Sequence, residues 1–307
     1  MNIEQLKSKI KNYKFGSRIF FDAYIIMSSC IFTNNFCFSS TYKNSHIKKD
    51  KAVIPFHLLN FDGEEYSSHR IKNEIEHGKF LATHNAGEIW GWESKAGKVR
   101  WERRVKMLTD FISPQMKVLE IGCGTGYFSK ELIKTNAKII SIDISTELIN
   151  IAKQNNNSNN ITFLVDNAYS MSFKNSLFDC VVGSSVLHHL DINKALSEIF
   201  RVLKPNCKLF FTEPNMLNPQ IVLQKNIPYL KRKLGDSPDE TAFTKWGITK
   251  DLKLHGFSDI SVIPFDWLHP KIPQTAIHTV NKIGNFLEKI PIIKEFAGSL
   301  FISAEKK

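Results

Sequence analysis

From Lys117 onward, short apolar runs alternate with stretches of helical periodicity. The runs Val118-Leu119-Glu120-Ile121, Ile139-Ile140-Ser141-Ile142-Asp143 and Ile161-Thr162-Phe163-Leu164-Val165-Asp166 are strand-length. So are Cys180-Val181-Val182-Gly183 and Lys208-Leu209-Phe210-Phe211-Thr212-Glu213, and a stretch long enough for a helix separates most of the five. Such alternation predicts a parallel sheet of β-α-β units. Two later strands are predicted at Ile260–Phe265 and Ser299–Ser303, with helix-like insertions at about 217–236 and 270–297. Residues 61–112 read as a helical cap of mixed charge, ahead of a domain over 113–307. Residues 1–60 are an N-terminal extension whose pattern fixes little. Within it Ile3, Leu6, Ile10 and Tyr13 recur at helical spacing among Lys7, Lys9, Lys11 and Lys14, which predicts a short amphipathic basic helix able to touch a membrane surface.

Composition narrows the picture. The 307 residues are 42% hydrophobic and 23% charged, enough for a core of normal size. The formal net charge of +11 favours anionic company, although a Lys/Asn/Ile-rich proteome gives the same balance. No dense Lys/Arg block is interleaved with aromatics, which speaks against nucleic acid. The cysteines Cys30, Cys37, Cys123, Cys180 and Cys207 form no C-x-x-C pair, so neither a disulfide framework nor a metal site is expected, and a reducing cytoplasm is. Ala23 to Tyr42 carries no charge but is too rich in Ser, Thr and Asn for a membrane span, and Asp22 interrupts the only signal-like core. A cytoplasmic protein with peripheral contact at the inner membrane surface is the expectation.

The most informative segment is Val118-Leu119-Glu120-Ile121-Gly122-Cys123-Gly124-Thr125-Gly126-Tyr127-Phe128. A buried strand ends in an acid and passes through three glycines into a helix, at the switch point where ligands bind in an open α/β sheet. Glycine lets the backbone turn tightly and approach a ligand closely. A dinucleotide fingerprint, G-x-G-x-x-G, needs its third glycine at 127, where Tyr127 stands, and this opposes NAD or FAD. Asp143 ends the next strand and can accept hydrogen bonds from both ribose hydroxyls of an adenosine. Asp166-Asn167-Ala168 ends the third strand and could read an adenine edge. Alone, each acid reads as a helix cap or a solvated strand end; three at successive strand ends read as a site.

This set resembles the class I S-adenosylmethionine-dependent methyltransferases, in particular the type 11 group similar to the ubiquinone/menaquinone methylases. Phe178-Asp179-Cys180-Val181-Val182-Gly183-Ser184-Ser185-Val186-Leu187-His188-His189-Leu190 and Arg201-Val202-Leu203-Lys204-Pro205 resemble that group's fourth strand and the turn before its fifth. The resemblance covers about 117–215 well and extends less firmly to 303. It implies a Rossmann-like, seven-stranded, mostly parallel sheet with helices on both faces, an N-terminal helical cap and helical lid insertions. Carried over residue by residue, it places Glu120, Gly122, Gly124 and Gly126 around the methionine part of S-adenosylmethionine, Asp143 on the ribose, and Asp166 with Asn167 at the adenine. Cys123, Ile144, Ala168 and Ser184 complete the implied cofactor set. One departure is Asn206-Cys207, where the group usually has two glycines; asparagine tolerates a left-handed backbone and cysteine does not, so an altered turn is expected. Ile89-Trp90-Gly91-Trp92 through Arg104 is similar to a cap found in a subset of the group.

A sulfonium is a strong methyl donor, so the protein has mainly to align the acceptor and exclude water. A hydroxyl acceptor also needs a base, for which His188 and His189 are the candidates, unless they only line the pocket. Glu213, at the end of the fifth strand, is a further candidate that could instead orient a loop. Gly183-Ser184-Ser185-Val186 stands where amino methylation of bases uses Asn/Asp-Pro-Pro-aromatic, and Cys180 lies within a strand, so a nucleic-acid acceptor is disfavoured. In the insertions, Ile221, Ile227, Tyr229 and Leu230 stand beside Lys225, Lys231, Arg232 and Lys233, and Trp267, Ile283, Phe286 and Ile292 follow later. An apolar wall with a basic rim suits a small-molecule, lipid-linked, glycan-type or phosphorylated acceptor; ordinary lid packing gives the same pattern. The rival reading is a catalytically silent, S-adenosylmethionine-binding regulatory protein.

Overall fold

The computed structural model describes residues 63–307. The expected basic helix, the uncharged Ala23–Tyr42 stretch, Asp22, Cys30 and Cys37 lie outside the described residues. Among the described residues, no helix is long and apolar enough to cross a membrane.

The seven expected strands form one sheet: β1 (Lys117–Ile121), β2 (Lys138–Asp143), β3 (Ile161–Val165), β4 (Phe178–Ser184), β5 (Leu203–Pro214), β6 (Phe257–Phe265) and β7 (Ser299–Lys306). Their order is β3-β2-β1-β4-β5-β7-β6. The first five pair in parallel, and β7 runs antiparallel to both β5 and β6. The carboxyl ends of β1 to β6 therefore share one edge of the sheet, and every loop of the candidate site leaves from it.

Alternation along the strands builds both faces of the core. Leu119, Ile121 and Val181 join Leu196, Ile199 and Val202 on one side, while Val118, Cys180, Val182 and Phe210 face the other. The first side is covered by α6 (Ile192–Val202), whose Asp191 accepts the N–H groups of Asn193 and Lys194 as N-cap. The cap is three helices, α1 (Gly63–Ala82), α2 (Ala86–Ile89) and α3 (Lys95–Thr109), followed after β1 and β2 by α4 (Ser129–Leu132) and α5 (Thr146–Asn155). The cap is less separable than its sequence pattern predicts: Trp101, Leu108 and Ile112 enter the same apolar cluster as Val118 and Phe210. The insertions fold as α7 (Pro219–Asn226) and α8 (Pro228–Lys233), then, beyond α9 (Lys245–Leu254) and β6, as α10 (Gln274–Leu287) and a short 3-10 turn at Ile293–Phe296.

The altered turn expected at Asn206-Cys207 is resolved by one residue. Asn206 takes the left-handed conformation, φ +60, and Cys207 does not. β5 thereby runs unbroken from Leu203, five residues earlier than its apolar run predicts.

Arg104 ties α3 to the sheet. It is buried, donates from Nη2 to Asp266 Oδ2 at 2.9 Å and to Ser299 Oγ, and lies over the rings of Trp92 and Phe265. Burial lowers its pKa to about 10, against the pull of Asp266, so it stays charged at neutral pH. Arg104→Ala is expected to lower unfolding free energy by about 3 kcal/mol, the low end for breaking a buried pair, because Arg100 still reaches Asp266 at 2.8 Å. A urea titration monitored by tryptophan fluorescence checks it.

Candidate cofactor cleft and the histidine turn beside it

The loop after β1 requires glycine at three of its positions. Gly122, Gly124 and Gly126 have φ of +68, +53 and +78. A Cβ on Gly122 would lie 2.2 Å from Val186 Cγ2, and one on Gly126 would lie 2.3 Å from Asn156 Nδ2. The indole of Trp90 stands over Gly124, its Cη2 3.2 Å from where a Cβ would be. Tyr127, at the position that opposes a dinucleotide, packs edge-on against Trp101 with ring centroids 4.8 Å apart.

Asp143 completes this cradle. Its Oδ2 accepts the N–H of Gly124 and its Oδ1 the N–H of Ser145, both at 2.9 Å. Burial raises this carboxyl, and the two backbone bonds oppose the rise. Each carboxylate oxygen has two acceptor directions, so one on each remains for a ribose hydroxyl. The cradle and Asp143 thus fit an adenosine-bearing cofactor; Ile144 is half-buried beside them.

Other expected cofactor residues also have partners within the protein. Glu120, expected beside the methionine part, is fully buried, and its Oε2 accepts the hydroxyls of Ser129 and of its cross-strand partner Ser141 at 2.6 Å. Burial pushes its carboxyl up to about 7 despite those bonds. It braces the glycine loop from behind. The side chain of Cys123 packs with Ile149, Ala152 and Phe163, so only its backbone borders the loop. Asp166 and Asn167 first cap their own turn: Asp166 accepts from the N–H groups of Asn167 and Ser172, and Asn167 Oδ1 accepts from Tyr169 N–H. Asp166 N–H in turn donates to Asp143 O at 3.1 Å, which holds the two strand ends together. Ala168 is buried, and Ser184 Oγ lies 3.1 Å from Thr212 Oγ1.

After β4, Ser185 turns with φ +58 into a 3-10 turn, Leu187–His189. Glu213 anchors that turn: its Oε1 accepts the N–H groups of Val186 and Leu187, and its Oε2 lies 2.6 Å from His188 Nδ1. His188 Nε2 is 3.2 Å from Glu240 Oε1, so this ring, 4% exposed, is closed between two carboxylates. His189 differs. Its side chain is 21% exposed, and its Nδ1 is ion-paired with Glu74 Oε2 at 3.0 Å without hydrogen-bond alignment. Burial disfavours its charge, but Glu74 and Glu240 prevail and raise it to about 9. Of the three candidates for acid-base work, only His189 has an open side; Glu213 and His188 position it.

Sequence reasoning missed two members of this cluster, Glu74 of α1 and Glu240 of the lid loop. Burial pushes Glu240 up, but His189, His188 and Lys225 draw it well below the usual carboxylate range. Donor atoms of His188, His189 and Glu240 fall within 4.8 Å of one another, a spacing seen at metal sites. Here the Lys225 ammonium is bonded to the same Glu240 oxygen and to Asp236, and it supplies the positive charge.

Residues 119–211 match the family model of a methyltransferase domain. The demethylmenaquinone methyltransferase of Thermobifida fusca is 25% identical over 198 residues, 58% of this chain and 81% of that protein. A solved S-adenosylmethionine-dependent methyltransferase from Thermotoga maritima superposes with a TM-score of 0.56 at 17% identity, covering 75% of this chain and all of that one. The N-methyltransferase NodS of Bradyrhizobium japonicum, solved with S-adenosylhomocysteine, superposes with a TM-score of 0.53 at 15% identity, covering 76% and 98%.

Proposed function

We propose that this chain, whose residues 119–211 match the methyltransferase domain, is an S-adenosylmethionine-dependent methyltransferase that methylates oxygen or carbon of a small-molecule or lipid-linked acceptor beside His189. When bound, the cofactor supplies an electrophilic methyl group on a sulfonium. The glycine cradle and Asp143 would hold its methionine and adenosine parts, and Trp90 would exclude water from above Gly124.

The observation that carries the reading is the imidazole of His189, still 21% exposed, at the carboxyl edge of the sheet and within electrostatic reach of Asp143 in the cradle. That the Thermobifida relative is a demethylmenaquinone methyltransferase supports a lipidic acceptor. A hydroxyl or an acidic carbon has to lose a proton, and His189 is placed to take it. With its pKa raised to about 9, it is mostly protonated at pH 7 and cannot yet accept. The methylation rate is therefore expected to climb up to about tenfold per pH unit above pH 7 and to level near pH 9. His189→Asn is expected to flatten that profile; an unchanged slope would remove His189 from the role.

The acceptor is tested by incubating the protein with methyl-labelled S-adenosylmethionine and separated lipid and polar-metabolite extracts. Label in the lipid fraction is expected. Label confined to polar metabolites would overturn the lipidic acceptor, and cofactor binding without label anywhere would favour a silent regulator.

A further inference from the structure

The lid helix α10 and the turn after it place unlike residues in unlike places. Gly284 faces inward, where a Cβ would lie 2.9 Å from Trp267 Cβ, and this seats the helix. Ile283 and Phe286 then point outward, 52% and 62% exposed, and Ile292 follows at 79%. Large apolar side chains are ordinarily exposed singly; here three fall within ten residues. The two acids of this segment turn the other way. Glu288 is paired with Arg103 at 2.6 Å and also accepts the N–H of Asp266, and Glu295 is paired with Lys245 at 3.1 Å. Lys282 and Lys289 are exposed and form no ion pair among the described residues. The outward face is thus apolar and purely cationic.

We propose that this face docks on an anionic lipid bilayer. Apolar residues flanked by lysines are what an interfacial helix needs, with the apolar side chains in the acyl boundary and the ammonium groups at the headgroups. The chain's net charge of +11 adds to the attraction. A second copy fits less well, because two-fold pairing would set Lys282 and Lys289 against their own counterparts. The placement also has a consequence. α10 leaves the carboxyl end of β6, which runs in the same direction as β5 across the antiparallel β7. It therefore rises from the edge that carries Gly122 and Asp143, as does α8 with its exposed Tyr229. A bilayer docked there lies at the same edge of the sheet as the cleft. Docking itself stands on the exposed face alone; that the bilayer holds the acceptor rests on the function proposed above.

The test is co-sedimentation of the full chain with phosphatidylglycerol or phosphatidylcholine vesicles. Binding to phosphatidylglycerol is expected at low salt, with release at roughly 0.5 M salt, where screening leaves only a few Å of reach. Lys282→Glu with Lys289→Glu is expected to weaken that binding about 30-fold or more. Ile283→Ser with Phe286→Ser is expected to weaken it about tenfold or more through lost apolar burial. Both double variants should titrate S-adenosylmethionine like the parent, which separates docking from the fold and from the cofactor site. No sedimentation of the parent with phosphatidylglycerol, or unchanged binding by both variants, would overturn the proposal. So would a parent dimer, seen by light scattering, that the Ile283/Phe286 variant dissolves, since that would assign the face to a second copy.

Discussion

Asp143→Ala is expected to weaken S-adenosylmethionine binding by about two to three orders of magnitude while the protein stays folded. Each hydrogen bond to a charged group contributes roughly 1.5–3 kcal/mol, and about 1.4 kcal/mol is a factor of ten, so losing the bonds to two ribose hydroxyls corresponds to about two to four orders, of which the lower part is expected because water replaces some of the lost bonding. The substitution also frees the N–H groups of Gly124 and Ser145. Gly124 and Ser145 are both buried, so the freed donors depend on water entering the space the carboxylate leaves, and the thermal midpoint should fall by several degrees. Asp143→Asn keeps one acceptor oxygen and should fall between the two. Equal affinities in parent and alanine variant, by calorimetry, would place the ribose elsewhere.

The second large effect is one of stability. Glu213→Ala is expected to lower the unfolding free energy by about 3–9 kcal/mol, because it leaves its three closest buried donors at the turn unpaired at about 1–3 kcal/mol each. They are the N–H groups of Val186 and Leu187 and the ring N–H of His188. Since a domain is stable by only about 5–15 kcal/mol, this removes a large part of the whole. Glu213→Gln keeps an acceptor for the backbone and should lose less. The urea midpoint gives the magnitude, and hydrogen exchange at the Val186 and Leu187 amides locates it. Fast exchange confined to that turn is expected; a midpoint equal to the parent's would deny Glu213 its anchoring role.

Charge on His189 also links folding to pH. Its folded pKa, raised to about 9, exceeds the ordinary histidine value. The stabilisation it contributes is complete below about pH 6.5 and is lost as pH rises through about 9. The base role proposed for His189 and its ion pair with Glu74 therefore favour opposite ends of the same window.

The parts of this molecule that could be read along the chain are those with local causes. Each strand shows as an apolar run because both faces of its sheet are covered, and Gly122, Gly124 and Gly126 show because a backbone with φ near +60 tolerates little else. Asp143 was legible through its place at a strand end. The histidine turn was legible only in half. His188 and His189 stand out, but Glu74 lies in a helix of mixed charge and Glu240 in Ser237-Pro238-Asp239-Glu240, and both read as solvated surface. Their burial comes from contacts that bring α1 and the lid loop to the turn from far along the chain, and no spacing encodes that. Glu213 allowed two readings, a base or a residue that orients a loop, and no spacing chooses between them; the turn after β4 folds over it and closes it off, which makes it the second. Asn206 shows the reverse, a departure from the family pattern that one left-handed residue absorbs.

The account is tested most directly by calorimetric titration of the folded protein with S-adenosylmethionine, beside NAD as a competing nucleotide. Micromolar binding of S-adenosylmethionine with no heat from NAD is the result the cleft geometry requires. A folded protein that binds NAD, or that binds neither, would contradict it.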